Sequence, residues 1–166
     1  MAKERLRVVE SLAGVPADEW NALAQGDPFT SHEFLSALID TGCASARSGW
    51  RPQIVLLERD ATLCGAMPLF LKSHSYGEYV FDWAWADAYE RHGLQYYPKL
   101  LCAVPFTPVT GPRLLAAGDP ERALLAAAAG MPLLGPNCYG FINAASRVAL
   151  WPDEHGLLPL DCGVAI

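Results

Sequence analysis

Gln53-Ile-Val-Leu-Leu-Glu58 and Leu63-Cys-Gly-Ala-Met-Pro-Leu-Phe-Leu-Lys72 are two apolar runs separated by Arg59-Asp-Ala-Thr62. Their lengths and the turn-sized gap between them predict two strands joined as a hairpin. The first run is apolar throughout and reads as a central strand. Pro68 in the second cannot donate a ladder hydrogen bond, so it marks a bulge or an edge. A bulge re-aims the side chains beyond it.

The chain continues through Lys72-Ser-His-Ser-Tyr-Gly-Glu-Tyr-Val-Phe-Asp-Trp-Ala-Trp-Ala-Asp-Ala-Tyr-Glu-Arg-His92, its densest gathering of polar-tipped aromatic rings. Aromatic bodies supply contact area, and hydroxyl, imidazole and carboxylate groups orient a ligand. Tyr79 to Trp85 alternates enough to read as a strand, which points Trp83 and Trp85 the same way. Such a pair is either part of the core or a wall for a sugar or peptide substrate. Asp87 to His92 reads as a short helix capped by Asp87 and stopped by Gly93. Tyr96 to Pro105 reads as a further strand, which turns Tyr96 and Tyr97 to opposite faces, so at most one of them joins that wall.

Outward from this centre, Arg5 to Ser11 predicts a first strand and Pro16 to Ala24 a helix, with Pro16 near its first turn and Trp20, Leu23 and Ala24 on one face. Thr30 followed by Glu33 has capping-box spacing and opens a second helix whose apolar stripe is Phe34, Leu35, Leu38 and Ile39. His32 there is a ligand contact or a solvated first-turn residue. Phe106 to Pro112 is a proline-rich loop, Arg113 to Ala116 a short strand, and Asp119-Pro120 starts a helix running to Ala129. The expected fold class is α/β (α+β), a mixed and mostly antiparallel sheet flanked by helices.

With 166 residues the chain has the length of one ordinary domain. Hydrophobic residues make up 52% and charged residues only 18%, so surface covered by more chain or by a second copy is expected, and a homo-oligomer with it. The net charge is −6 and no basic cluster interrupts it, which argues against DNA as a partner. No run is apolar and long enough to span a membrane, and no apolar segment succeeds the charged start, so the expected location is cytoplasmic. The five cysteines, at 43, 64, 102, 138 and 162, include no CxxC pair. They read as reduced thiols, and no His/Cys/carboxylate spacing suggests a metal.

The general-base candidates are His74, Glu78, Asp82, Asp87 and His92, since taking a proton from an attacking amine needs a base within hydrogen-bond reach. Asp82 lies between Phe81 and Trp83. A carboxylate in such company is either paired, with Lys99 or Arg91, or has a raised pKa.

Pro28-Phe-Thr-Ser-His-Glu-Phe-Leu35, Leu69 to Tyr79, Phe81 to His92, Tyr96-Tyr-Pro-Lys-Leu100 and Val104 to Arg113 resemble the FemAB-like proteins of the GNAT acyltransferase superfamily. The resemblance runs from about residue 5 to about residue 128. It implies a GNAT-like fold, with residues 1–128 an incomplete first lobe of a two-lobed protein. It also implies a cytoplasmic enzyme linked to peptidoglycan precursors that moves an acyl or aminoacyl group to an amine. His74, Glu78 and Asp82 are then the catalytic candidates, and Tyr76, Trp83, Trp85, Tyr89 and Lys99 bind a small-molecule, peptide or glycan acceptor. Acyl-CoA is the donor such an enzyme would take, yet the Q/R-x-x-G-x-G/A signature is absent, as are the other phosphate-cradling loops.

Residues 129–166 change character. Gly135-Pro-Asn-Cys-Tyr-Gly140 and Gly163-Val-Ala-Ile166 are similar to the end of the CoA-binding domain of nucleotide-dependent acyl-CoA synthetases. That resemblance implies a strand-turn-strand appendage with Gly135 and Asn137 near CoA; a tight turn alone would also favour these residues. Two further readings therefore stand beside acyl transfer: a CoA-binding fragment, or a non-catalytic chimeric or binding domain.

Overall fold

The structure is a computed structural model. It describes residues 4–79 and 82–128, together with the backbone of 141–143, 148–150 and 164–165. The chain divides into two units, 1–131 and 132–166.

The first unit is α+β. In chain order it carries β1 (Glu4–Val9), α1 (Ala17–Ala24), α2 (His32–Asp40), β2 (Trp50–Pro52), β3 (Ile54–Arg59), β4 (Thr62–Met67), β5 (Leu69–Lys72), α3 (Trp83–Arg91), β6 (Lys99–Cys102), β7 (Leu115–Ala116) and α4 (Asp119–Ala128). One antiparallel sheet has the order β1-β3-β4-β7 and a second has the order β2-β5-β6. The second unit holds β8 (Phe141–Asn143), β9 (Val148–Leu150) and β10 (Val164–Ala165), an antiparallel sheet in the order β10-β8-β9.

The predicted hairpin is present, and it is longer than expected. β2 pairs β5 and β3 pairs β4, so residues 50–59 and 62–72 form one ribbon shared between two sheets. Pro68 marks the break between them, not a bulge. It has no N–H to offer, and the Gln53 N–H opposite bonds to the Leu69 carbonyl at 2.8 Å. The register shift lies earlier: Leu57 faces Gly65 and Glu58 faces Leu63, leaving Cys64 as the extra residue.

Alternation along β3 and β4 sets the packing. Leu56 and its partner Ala66 join the core cluster with Trp20 and Leu23 of α1. Leu57 and Gly65 face Leu125 of α4, whose Cδ1 would lie 3.1 Å from a Cβ at position 65. The central strand β3 is therefore covered on both faces, as its apolar sequence requires. Trp20, Leu35, Trp50, Phe70 and Leu115 are fully buried in the same core. Burying a side chain of this size stabilises by about 1.5–3 kcal/mol each.

Three local expectations change. Ser31, not Thr30, caps α2 and accepts from the Phe34 N–H. Thr30 is fully buried and donates its hydroxyl to Asp27 at 3.0 Å. The strand expected over 79–85 is not formed at its C-terminal end: α3 starts at Trp83, with Asp82 at the cap position instead of Asp87. Ala84, Ala86 and Ala88 with Glu90 and Arg91 are good helix formers, and the alternation of Trp with Ala carries no polar face. The strand expected over 96–105 shortens to Lys99–Cys102, so Tyr96 and Tyr97 lie in a loop.

Candidate functional site

β5 and β6 are adjacent antiparallel strands in which Lys72 stands opposite Lys99. Everything between them, residues 73–98, is an excursion from one sheet edge. It leaves through a turn at 73–79, runs through α3 and returns past Tyr96 and Tyr97. The candidate site is built where the two ends of this excursion meet.

Two lysines side by side repel, and the excursion supplies the carboxylates that compensate. Lys99 Nζ lies 2.8 Å from Glu78 Oε2 and also bonds to Asp82 Oδ2. Lys72 Nζ is 3.9 Å from Glu78 Oε1. Lys72 is fully buried, and the Glu78 side chain is only 1% exposed. The Lys72 ammonium donates to the Tyr76 carbonyl at 3.1 Å and sits 3.8 Å from the centre of the Trp50 ring. Trp50 Nε1 donates to the same carbonyl at 3.2 Å. The turn is thereby tied down from two sides.

Asp82 is the most heavily bonded group of the cluster. Besides Lys99 it accepts from Ser75 Oγ, from Tyr96 OH at 2.9 Å and from Tyr97 OH at 3.4 Å. Ser75 also bonds to the Tyr97 hydroxyl. Because its carboxylate is engaged this way, Asp82 makes no side-chain cap to α3. Burial pushes its pKa up, but the bonds from Lys99, Ser75 and Tyr96 outweigh that and hold it below the usual carboxylate value. The pairing alternative from the sequence is thus the one realised, with Lys99 as partner; Arg91 instead pairs Asp87 on the exposed side of α3.

The remaining titrations obey the same logic. Burial drives Lys72 down to about 8, with the Glu78 charge opposing the shift. Burial also disfavours the charged form of Lys99, but hydrogen bonds to Asp82 and Glu78 raise it above the ordinary lysine range. The Tyr96 hydroxyl is pushed up to about 12 and that of Tyr97 also rises, mainly by burial.

Gly77 makes the turn possible. Its φ is +81°, and a Cβ there would come within 2.5 Å of the Phe106 ring and 3.0 Å of Trp50 Nε1. The adjoining Tyr76 is 73% exposed, its ring packed edge-on against His74 at 5.1 Å. His74 Nδ1 receives the Tyr76 N–H at 3.2 Å.

Among the described residues α3 is covered by little else. None of its side chains is buried, and Trp83, Trp85 and Tyr89 are all exposed. On a helix, residues two apart diverge by about 200°, so Trp83 and Trp85 do not form the single wall expected of a strand. Trp85 and Tyr89, four apart, share a face. Tyr89 packs edge-on against Tyr96 at 5.3 Å, and Tyr96 against Tyr97 at 4.9 Å. Both tyrosines of the pair therefore reach the cluster, where a strand would have turned one away.

Of the predicted residues, Glu78, Asp82 and Lys99 come together directly, Tyr76 joins through its carbonyl, and Tyr89 joins through Tyr96. His74 borders the turn, while Trp83 and Trp85 lie on the outer helix. Gly135 and Asn137 lie outside the described residues. Sequence reading did not pick out Trp50, Lys72 and Ser75 as members, and it allowed at most one of Tyr96 and Tyr97; the pairing of Lys72 with Lys99 across adjacent strands is the signal that could have pointed to Lys72. Among the described residues no group of three or more His, Cys, Asp or Glu side chains gathers as for a metal ion. No helix among them is long and apolar enough to cross a membrane.

The family of FemAB-like proteins, described as peptidoglycan biosynthesis/recognition, matches residues 11–131. The chain belongs to the FemAB-like family. The match covers the whole excursion and strands β2 to β7, leaving β1 outside it, and it ends at Met131, at the boundary of the first unit. No curated protein and no solved structure shows a significant match to the chain. A FemAB-like chain is thus the frame in which the lysine–carboxylate cluster is read.

Proposed function

We propose that this FemAB-like protein transfers an acyl or aminoacyl group to an amine acceptor in peptidoglycan precursor chemistry, by a GNAT-type lobe. The family match over residues 11–131 carries the reading. Attack by an amine needs the neutral amine, so the site must bind an ammonium group and remove its proton.

Glu78, Asp82 and His74 are the candidates for that proton. Asp82 accepts from four side chains and is held in its charged form, which suits an anchor better than a base. Among the described residues Glu78 Oε1 has no hydrogen-bond partner, only the Lys72 ammonium at 3.9 Å, so Glu78 is the better acceptor. Tyr76, Trp83, Trp85 and Tyr89 supply exposed ring area for a peptide or glycan acceptor, and Lys99 holds both carboxylates. An aminoacyl-tRNA suits the family and the missing CoA signature better than acyl-CoA does. The CoA-binding reading rests on residues 129–166, almost wholly beyond the family match.

The test is thermal unfolding of the purified chain with an aminoacyl-tRNA, with acetyl-CoA and with an amine-bearing muropeptide. A ligand at about 100 times its Kd stabilises by about 2.7 kcal/mol. Shifts with the aminoacyl-tRNA and the muropeptide are expected. A cooperative melt unmoved by any of the three would reject the reading.

A further inference from the structure

Glu78, Asp82, Tyr96 and Tyr97 surround a single ammonium group, that of Lys99. Two carboxylate oxygens accept from it, and the Tyr96 and Tyr97 ring centres lie 5.1 and 5.6 Å away, within cation–π range. Lys99 is not the sole support of this surround. Asp82 is fixed by Ser75, Tyr96 and Tyr97, and Glu78 is carried by the turn that Trp50 and Lys72 tie down.

A second observation concerns the Glu78 carboxylate. Among the described residues, Glu78 Oε1 is buried and accepts no hydrogen bond. An ammonium has three N–H groups, and Lys99 donates only two to these carboxylates. That oxygen belongs to a side chain 1% exposed and has hydrogen-bonding capacity to spare, with the Lys72 ammonium as an ion-pair partner at 3.9 Å. Lys99 itself retains 21% exposure and stands on β6, the outer strand of its sheet among the described residues. Part of its side chain therefore reaches solvent.

We propose that Glu78, Asp82, Tyr96 and Tyr97 form a seat for a primary alkylammonium group, filled in this structure by the chain's own Lys99 and open to an external amine once that side chain is withdrawn. The inference rests on the amine-acceptor reading only for its natural ligand: the acceptor's amine takes the place of the Lys99 ammonium.

The experiment is chemical rescue in the full chain. Lys99→Ala is unfolded thermally in the presence of n-propylammonium, n-propanol or tetramethylammonium at matched ionic strength. A saturable rise in Tm with n-propylammonium alone, abolished by adding Glu78→Gln, is expected. Equal rises with n-propanol, no rise with any additive, or a rise that survives Glu78→Gln overturns the proposal. Should Lys99→Ala not fold alone, refolding is run with the same additives. Recovery of a cooperative melt with n-propylammonium only is then the expected result, and recovery with none or with all overturns it. Failure of amine rescue strikes the seat alone, whereas failure of group transfer with rescue intact strikes the functional reading alone.

Discussion

Lys72 and Lys99 face each other across β5 and β6, and both ammonium groups converge on Glu78, at 3.9 Å and 2.8 Å from its two oxygens. The carboxylate is what makes this cross-strand pair tolerable. Glu78→Gln leaves one fully buried cation, Lys72, and one partly buried, Lys99, with Asp82 as the remaining anion of the cluster. Breaking a buried pair by removing one partner costs about 3–5 kcal/mol. We expect a loss near the low end, since Asp82 remains, read as a lower urea midpoint. Combining it with Lys72→Met should recover part of the loss, because the repulsion goes with the charge. Strict additivity in this double-mutant cycle would mean that the two residues do not interact.

Lys72 gives a pH signature. Its folded pKa is lowered to about 8 from an ordinary 10.5, so between those values the unfolded chain binds more protons than the folded one. Stability from this residue therefore rises with pH through that window. At one pH unit per about 1.36 kcal/mol, wild type should gain on the order of 3 kcal/mol relative to Lys72→Met between pH 8 and 10.5. Urea unfolding of both proteins at several pH values checks this. A constant difference would place Lys72 in contact with solvent.

Asp82 behaves in the opposite range. Its folded pKa lies below the ordinary 3.8, so its contribution is complete above that value and is lost as pH falls through the folded pKa. Asp82→Asn should flatten the acid limb of the stability curve below about pH 4. It should also speed amide exchange in α3, which has no buried side chain of its own to hold it. Unchanged exchange in Trp83–Arg91 would show that the helix is anchored by something else.

Gly77→Ala strains a turn at φ +81° and pushes against Phe106 and Trp50. A cost of about 1–3 kcal/mol is expected, with the Trp50 indole N–H resonance displaced. By contrast, Gly93→Ala, where a Cβ meets nothing within 4 Å, should bear only the smaller conformational term. Equal losses at both positions would remove the argument from close packing.

The hairpin at 53–72 was legible because an unbroken apolar run bounded by turn residues has few other uses, though its extension to Trp50 was not. Lys99 was one of two partners the sequence offered Asp82, because a carboxylate between Phe81 and Trp83 needs either a partner or a raised pKa. Tyr79 to Trp85 misled because Trp-Ala alternation mimics a strand while Ala, Glu and Arg favour a helix. At most one of Tyr96 and Tyr97 was expected at the site, whereas both phenols reach Asp82 from a loop, and loop geometry leaves no period in a sequence. Lys72 looked like the polar end of a strand; only its register opposite Lys99 reveals a buried charge.

The most direct test of the central claim is transfer of a labelled aminoacyl group from aminoacyl-tRNA to an amine-bearing muropeptide by the purified chain, beside Glu78→Gln and Trp85→Ala. Saturable transfer is expected in wild type. It should fall by at least about tenfold in folded Glu78→Gln, a conservative share of what a positioned acid–base group contributes, and weaken through acceptor KM in Trp85→Ala. A folded wild-type chain that transfers nothing, or a Glu78→Gln variant as active as wild type, would contradict the account.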